Sequence, residues 1–192
     1  MKVTLSKNSG FCPGVRRADT AVRELLLRRT DTDIFTLGNL IHNRLYNEEL
    51  RAMGVRKIEV SELEDTLKAQ NGRDTTLIIR THGITKELEA YLKGLEVEYE
   101  NLHVMDMTCP YVKRIHKIAD ENTDDGTLFL LYCDPNHPEA IGILSYAHGE
   151  KLPFSSIDEL EKLDFSGKTP LLCSQTTQNI SEFKKIKNRL SY

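Results

Sequence analysis

Two Cys-Pro turns, "FCPGV" at 11–15 and "TCPYV" at 108–112, each open a run of strand and helix patterns that passes in the same order twice. An internal repeat constrains a fold more than a single motif does, because each copy must bury the same faces. From Cys12 to His42 is 30 residues (42 − 12), and from Cys109 to His137 it is 28 (137 − 109). From cysteine to the serine of an S-x-x-E pattern, Ser61 or Ser156, is 49 (61 − 12) and 47 (156 − 109). From cysteine to the "THG" or "QTT" turn is 70 (82 − 12) and 67 (176 − 109). Three landmarks agree to within three residues, so the chain reads as two copies of one α/β unit.

The first copy begins with "KVTLS", a short strand by composition, followed by Val15, Ala18, Val22 and Leu25 at helical spacing. "DIFTLG" reads as a strand, and "IHNRLYNEELRAMG" as a helix with Leu45 and Met53 on its apolar side, stopped by Gly54. Ser61 and Glu64 offer a capping box. "TTLIIRTHG" is a buried-type strand, and "TKELEAYLKG" a short helix ended by Gly94. The second copy has "LHVMDMT", a helix carrying Val112, Ile115 and Ala119, then the strand "TLFLLYC" leading to "NHPEA". A second capping box (Ser156, Glu159), the strand "TPLLCSQTT" and a helix with Ile180, Phe183, Ile186 and Leu190 on one face close it. Alternating strands and helices predict two pseudo-repeated lobes, residues 1–100 and 101–192, each a small, mainly parallel sheet flanked by helices. In such sheets ligands gather beyond the carboxyl ends of the strands. Cys12, His42, His82, Cys109, His137 and Thr176 all follow strand patterns directly, which would pool them in one crevice.

Composition excludes some classes of function. A formal charge of −3 gives no basic footprint for nucleic acid or an anionic membrane. The longest apolar stretch, "LFLLYC", is strand-sized, and "MKVTLSKNSG" has no signal-peptide run. A cytoplasmic chain is expected, with its four cysteines reduced or metal-bound rather than in disulfides.

Proline at a first helical position places Cys12 and Cys109 at helix N-termini, where positive partial charge favours a thiolate. A lone cysteine there is more often a buried thiol, but repetition at matched positions reverses that weighting. No C-x-x-C pair supports zinc, and a mononuclear Cys/His metal hydrolase has little support from the spacing. Two isolated thiolates suit an iron–sulfur cluster that takes a further ligand from elsewhere. Cys133 and Cys173 lie in apolar strand runs and read as core thiols, while His103, His116 and His148 miss the repeat landmarks and read as structural. His42, His82 and His137, with Thr176, suit a diphosphate through hydrogen bonds. Glu139, two residues past His137, could carry a proton to a leaving hydroxyl. No Walker loop or G-x-G-x-x-G supports nucleotide binding.

"GFCPGVRRA", "IHNR", "THG", "TCPYV", "HPE" and "SQTT" together resemble, in order and over the whole chain, the motifs of the 4-hydroxy-3-methylbut-2-enyl diphosphate reductases. The resemblance implies a 4Fe–4S cluster among three similar lobes, with one cysteine from each. It implies reductive dehydroxylation of an allylic diphosphate to isopentenyl and dimethylallyl diphosphates, with electrons from ferredoxin or flavodoxin. By position, Cys12 and Cys109 would ligate the cluster; His42, His82 and His137 would hold substrate; Glu139 would relay the proton; and Thr176 would position Glu139 or substrate. Pro13 departs from the family's usual residue. The third lobe, with the third cysteine ligand, is not in the 192 residues, which makes self-association through an uncovered face an expectation. The competing expectation is a non-catalytic two-lobe fragment or binding module lacking the cluster.

Overall fold

The structure, a computed structural model, describes residues 2–4, 6, 9–28, 31–165 and 167–190. The chain divides into two compact units, Met1–Thr81 with Asn101–Cys109, and His82–Glu100 with Pro110–Tyr192.

The first unit is built on a parallel sheet of β1 (Asp33–Leu37), β2 (Arg56–Ile58), β3 (Thr75–Ile79) and β4 (Leu102–Asp106), in the order β2-β1-β3-β4. α1 (Pro13–Arg28) lays Ala18, Val22 and Leu25 against Ile34 and Ile78, and α2 (Arg44–Ala52) adds Tyr46 and Leu50. All five residues of β3 are buried, as expected of a central parallel strand covered on both faces. Gly54, at φ +97°, reverses the chain after α2.

The second unit holds β5 (Thr127–Tyr132), β6 (Glu150–Phe154) and β7 (Thr169–Ser174), parallel in the order β6-β5-β7. Alternate residues of β5 serve two cores. Phe129 and Leu131 face Ala119 of α5 (Pro110–Asn122) and Ala140 and Ile143 of α6 (Pro138–Tyr146). Leu128, Leu130 and Tyr132 face Phe154, Leu160 of α7 (Ile157–Leu160) and Ile186 of α8 (Ile180–Leu190). Each fully buried side chain of this size contributes about 1.5–3 kcal/mol. α4 (Lys86–Glu98) also belongs here, through Tyr146 Oη donating to Glu89 at 2.6 Å and the Lys86 amide donating to Ser145 Oγ at 2.9 Å.

The two sheets are copies in register as well as order. Leu37 pairs with Ile58 and Ile79, and Tyr132 with Phe154 and Ser174. The next residue in each copy, Gly38 or Cys133, donates its amide to the carbonyl of Ile58 or Phe154. Counting from these rows, His42 matches His137, five residues on in each. Thr176 matches Thr81 and Thr177 matches His82, one position away from the correspondence expected from cysteine offsets.

Several local expectations differ. The sheets do not part at residue 100, because β4 completes the first sheet. The strand expected over "KVTLS" falls partly on Leu5, outside the described residues, and Lys2–Thr4 and Ser6 carry none. α2 buries Tyr46 and Leu50, leaving Leu45 and Met53 exposed. The first capping box is made by Glu59 with Glu62, ahead of a short 3-10 turn, so Ser61 caps nothing. At α7, Ser156 does accept the Glu159 amide, but Glu159 reaches back to the Ser155 amide. Gly94 lies inside α4, which runs on because Leu95 is buried; a glycine there costs about 1 kcal/mol, less than that burial returns. Ile180, at the start of α8, is exposed, whereas Phe183, Ile186 and Leu190 pack inward.

Candidate functional site

In the first unit, Cys12 sits at the N-cap of α1. Its carbonyl accepts the Arg16 amide at 2.9 Å, and Pro13 fills the first helical position, where no donor is needed. Cys109 stands in the same relation to Pro110 and donates its amide to the Thr81 carbonyl at 2.9 Å. The two turns meet. A Cβ placed on Gly14 would lie 2.8 Å from Cys109 Sγ, so the thiol occupies space that only glycine leaves. Arg17 Nη2 donates to the Thr108 carbonyl at 2.7 Å, tying α1 to the residue before Cys109. Both thiols are free, with Cys12 exposed and Cys109 partly so. Free thiols on two adjoining helix-opening turns fit the donor chemistry of an iron–sulfur cluster, which takes more than two such ligands. His42 is exposed beside Asn43, whose Oδ1 accepts the Tyr46 amide and caps α2.

In the second unit, His137 caps α6, its Nδ1 accepting the Glu139 amide at 3.1 Å. With Nδ1 an acceptor, the neutral ring carries its proton on Nε2. The His82 ring stands edge-on to it, centroids 5.4 Å apart. Glu139 is 2% exposed, and Thr176 grips both of its oxygens. The Thr176 amide donates to Oε1 at 2.6 Å and its hydroxyl to Oε2 at 2.9 Å. Thr176 is itself exposed, so its hydroxyl joins the buried carboxylate to the surface. Behind them, buried Gln175 accepts the Asp134 amide at 3.1 Å and donates to Thr177 Oγ1 at 2.9 Å. It therefore ties the loop after β5, which carries His137 and Glu139, to the loop after β7.

Cys12, His42 and Cys109 thus lie in the first unit, and His82, His137, Glu139 and Thr176 in the second. Cys133, just past β5, and Cys173, in β7, are buried, and burial pushes their thiols up to about 12 and about 11, as befits core residues. Buried His116 stacks on Tyr146 at 4.2 Å, His148 pairs with Asp120 at 3.1 Å, and His103 is exposed on β4. Sequence reasoning missed Gly14, Arg17 and Gln175. "SQTT" held a signal for the last, a long amide just past a strand; nothing local marked the contact of Arg17 with Thr108, 91 residues away.

A family model described as LytB protein matches residues 3–192. The 4-hydroxy-3-methylbut-2-enyl diphosphate reductase of Caldanaerobacter subterraneus subsp. tengcongensis is 37% identical over 177 residues, covering 92% of this chain and 58% of the relative. That of Campylobacter hominis is 37% identical over 191 residues, covering 97% of this chain and 61% of the relative. Among solved structures, (E)-4-hydroxy-3-methyl-but-2-enyl diphosphate reductase, the terminal enzyme of the non-mevalonate pathway, superposes with a TM-score of 0.74 at 29% identity. The match covers 98% of this chain and 63% of that one. The E-1-hydroxy-2-methyl-but-2-enyl-4-diphosphate reductase from Plasmodium falciparum gives 0.77 at 26% identity, over 96% and 56% of the two chains. The chain therefore spans less than two thirds of the length of these relatives.

Proposed function

The chain belongs to the LytB protein family, and from that membership we propose that it carries two of three lobes of an iron–sulfur oxidoreductase. The reaction is reductive removal of the hydroxyl of 4-hydroxy-3-methylbut-2-enyl diphosphate, giving isopentenyl and dimethylallyl diphosphates and water. Ferredoxin or flavodoxin is the proposed electron donor, and the cytoplasm the proposed compartment. Among the described residues no helix is long and apolar enough to cross a membrane.

Cys12 and Cys109 would hold a 4Fe–4S cluster together with a thiolate from outside these residues. When bound, the cluster supplies electrons to the carbon–oxygen bond that breaks. His137 offers Nε2–H to an anionic oxygen, and His42 and His82 act with it on the diphosphate. Glu139 delivers the proton that the departing hydroxyl needs to leave as water, with the Thr176 hydroxyl fixing Oε2. Burial of Glu139 keeps bulk water from competing for that proton.

The observation that carries this reading is the double grip of Thr176 on a buried Glu139, two residues past a histidine that caps the same helix. The test is Glu139→Gln in protein reconstituted anaerobically with iron and sulfide and completed with the remaining portion of a relative. Turnover should fall roughly 10²–10⁴-fold with substrate affinity little changed. A raised Michaelis constant with turnover intact would make Glu139 a binding residue. Failure of wild-type protein to take up iron would favour the alternative, a two-lobe binding module without a cluster.

A further inference from the structure

We infer that Arg17 is a positioning residue that fixes how Cys109 presents its thiol beside Cys12, before any cluster is inserted. This rests on the reading of Cys12 and Cys109 as cluster ligands and deepens it. Arg17 lies five residues past Cys12 in α1, and its Nη2 donates to the Thr108 carbonyl at 2.7 Å. That carbonyl and the Cys109 amide belong to one planar peptide group. The Cys109 amide is held in turn by the Thr81 carbonyl at 2.9 Å. The peptide plane is thus clamped at both ends, by α1 on its oxygen and by the end of β3 on its nitrogen. Thr108 itself is 3% exposed, and its amide donates to Asp106 Oδ1 at 2.8 Å, so the turn cannot rotate about its other flank without breaking a part-buried bond.

With that plane fixed, the Cys109 Cα is held in place, and Gly14 leaves the thiol its space. The clamp and the gap come from one helix, three residues apart and on one face, and that helix starts at Cys12. α1 thus supplies both the anchor for the backbone at Cys109 and the room for its thiol. Counted from the cysteine, the matching positions of α5 are Tyr111 and Arg114, so a tyrosine stands where α1 leaves a gap. The second Cys-Pro helix does not repeat the device among the described residues.

The test reads thiol geometry without the cluster. Dibromobimane becomes fluorescent when it bridges two neighbouring thiols, and Cys133 and Cys173 are buried beyond its reach. In the wild-type chain it should bridge Cys12 and Cys109. Arg17→Met should lower the ratio of bridged to singly labelled product roughly ten- to hundredfold, the scale on which small misplacements act. Arg17→Lys should restore part of it, Arg114→Met should leave it unchanged, and thermal midpoints should stay close to wild type. If Arg17→Met proves unfolded, Arg17→Gln, too short to reach Thr108, carries the same expectation. Bridging at the wild-type ratio in a folded Arg17→Met or Arg17→Gln chain overturns the inference. Iron content after anaerobic reconstitution is the separate readout. A loss of bridging with iron uptake indifferent to Cys12 and Cys109 would uphold the clamp and sink the cluster reading.

Discussion

Thr81 and Thr176 occupy the same place in the two repeats and make the same two hydrogen bonds to different ends. Buried Thr81 sends its amide and hydroxyl to one backbone oxygen, the Leu40 carbonyl, at 3.2 and 3.1 Å. Exposed Thr176 sends both to the Glu139 carboxylate. Seven residues past the register row, where the second unit has Glu139, the first has Arg44, and its side chain is exposed. A turn that closes a loop in one copy thus grips a buried carboxylate in the other. The scaffold is duplicated, and what the threonine holds is exchanged.

Exchanging the charges breaks this comparison most severely. Glu139→Arg puts a cation into a site only 2% exposed and should cost about 3–5 kcal/mol in urea unfolding, while Arg44→Glu should stay within about 0.5 kcal/mol. Equal costs would mean the two positions are not differently built. The paired cysteine turns come next. Gly14→Ala must displace Cys109 Sγ and should cost about 1–3 kcal/mol, whereas Tyr111→Ala, at an exposed position, should be nearly silent by the same assay.

The residue after the register row gives a pH test, because it is Gly38 in one copy and Cys133 in the other. Burial chiefly pushes Cys133 up to about 12, above the usual thiol value near 8.5. The folded value is raised, so its stabilisation is complete below the unfolded value and is lost as pH climbs toward the folded one. Unfolding free energy should drop with pH from about 9 to 12, by at most about 1.4 kcal/mol per unit for this thiol, with the slope eased in Cys133→Ala. A flat alkaline limb in the wild type would contradict the assignment. The smallest effect separates the threonines themselves. Thr81→Val should cost about 1 kcal/mol of stability and leave turnover alone. Thr176→Val should show the reverse, and a stability loss in it without a kinetic one would erase the distinction.

The repeat was legible because strands such as "TTLIIRTHG" and "TLFLLYC" are buried on both faces, and nothing but a central parallel strand explains such runs. His82 and His137 were legible for the same reason, since they follow those strands within a few residues. What stayed hidden was decided by partners distant in sequence. α2 has two apolar stripes one residue apart, and Tyr46 wins because its hydroxyl reaches Asp19 at 3.0 Å and its ring meets Phe11 at 5.2 Å. The Ser61 pattern had the right letters, but Glu59 reaches the turn first. Spacing within one helix could not show that Arg17 grips a carbonyl beside Cys109.

β4 belongs to the first sheet although it follows α4, a helix of the second unit, and this has a consequence for synthesis on the ribosome. The open edge of β3 ends at Ile79, and the strand that covers it ends at Asp106, 27 residues later (106 − 79). At about 5–20 residues per second, that edge waits roughly 1–5 s for its neighbour. Throughout that interval "TTLII" is a β-prone, uncharged ribbon with one bare side, the kind of segment that pairs with other nascent chains. A slow codon run placed between residues 80 and 101 would lengthen the exposure, and chaperone demand should rise with it.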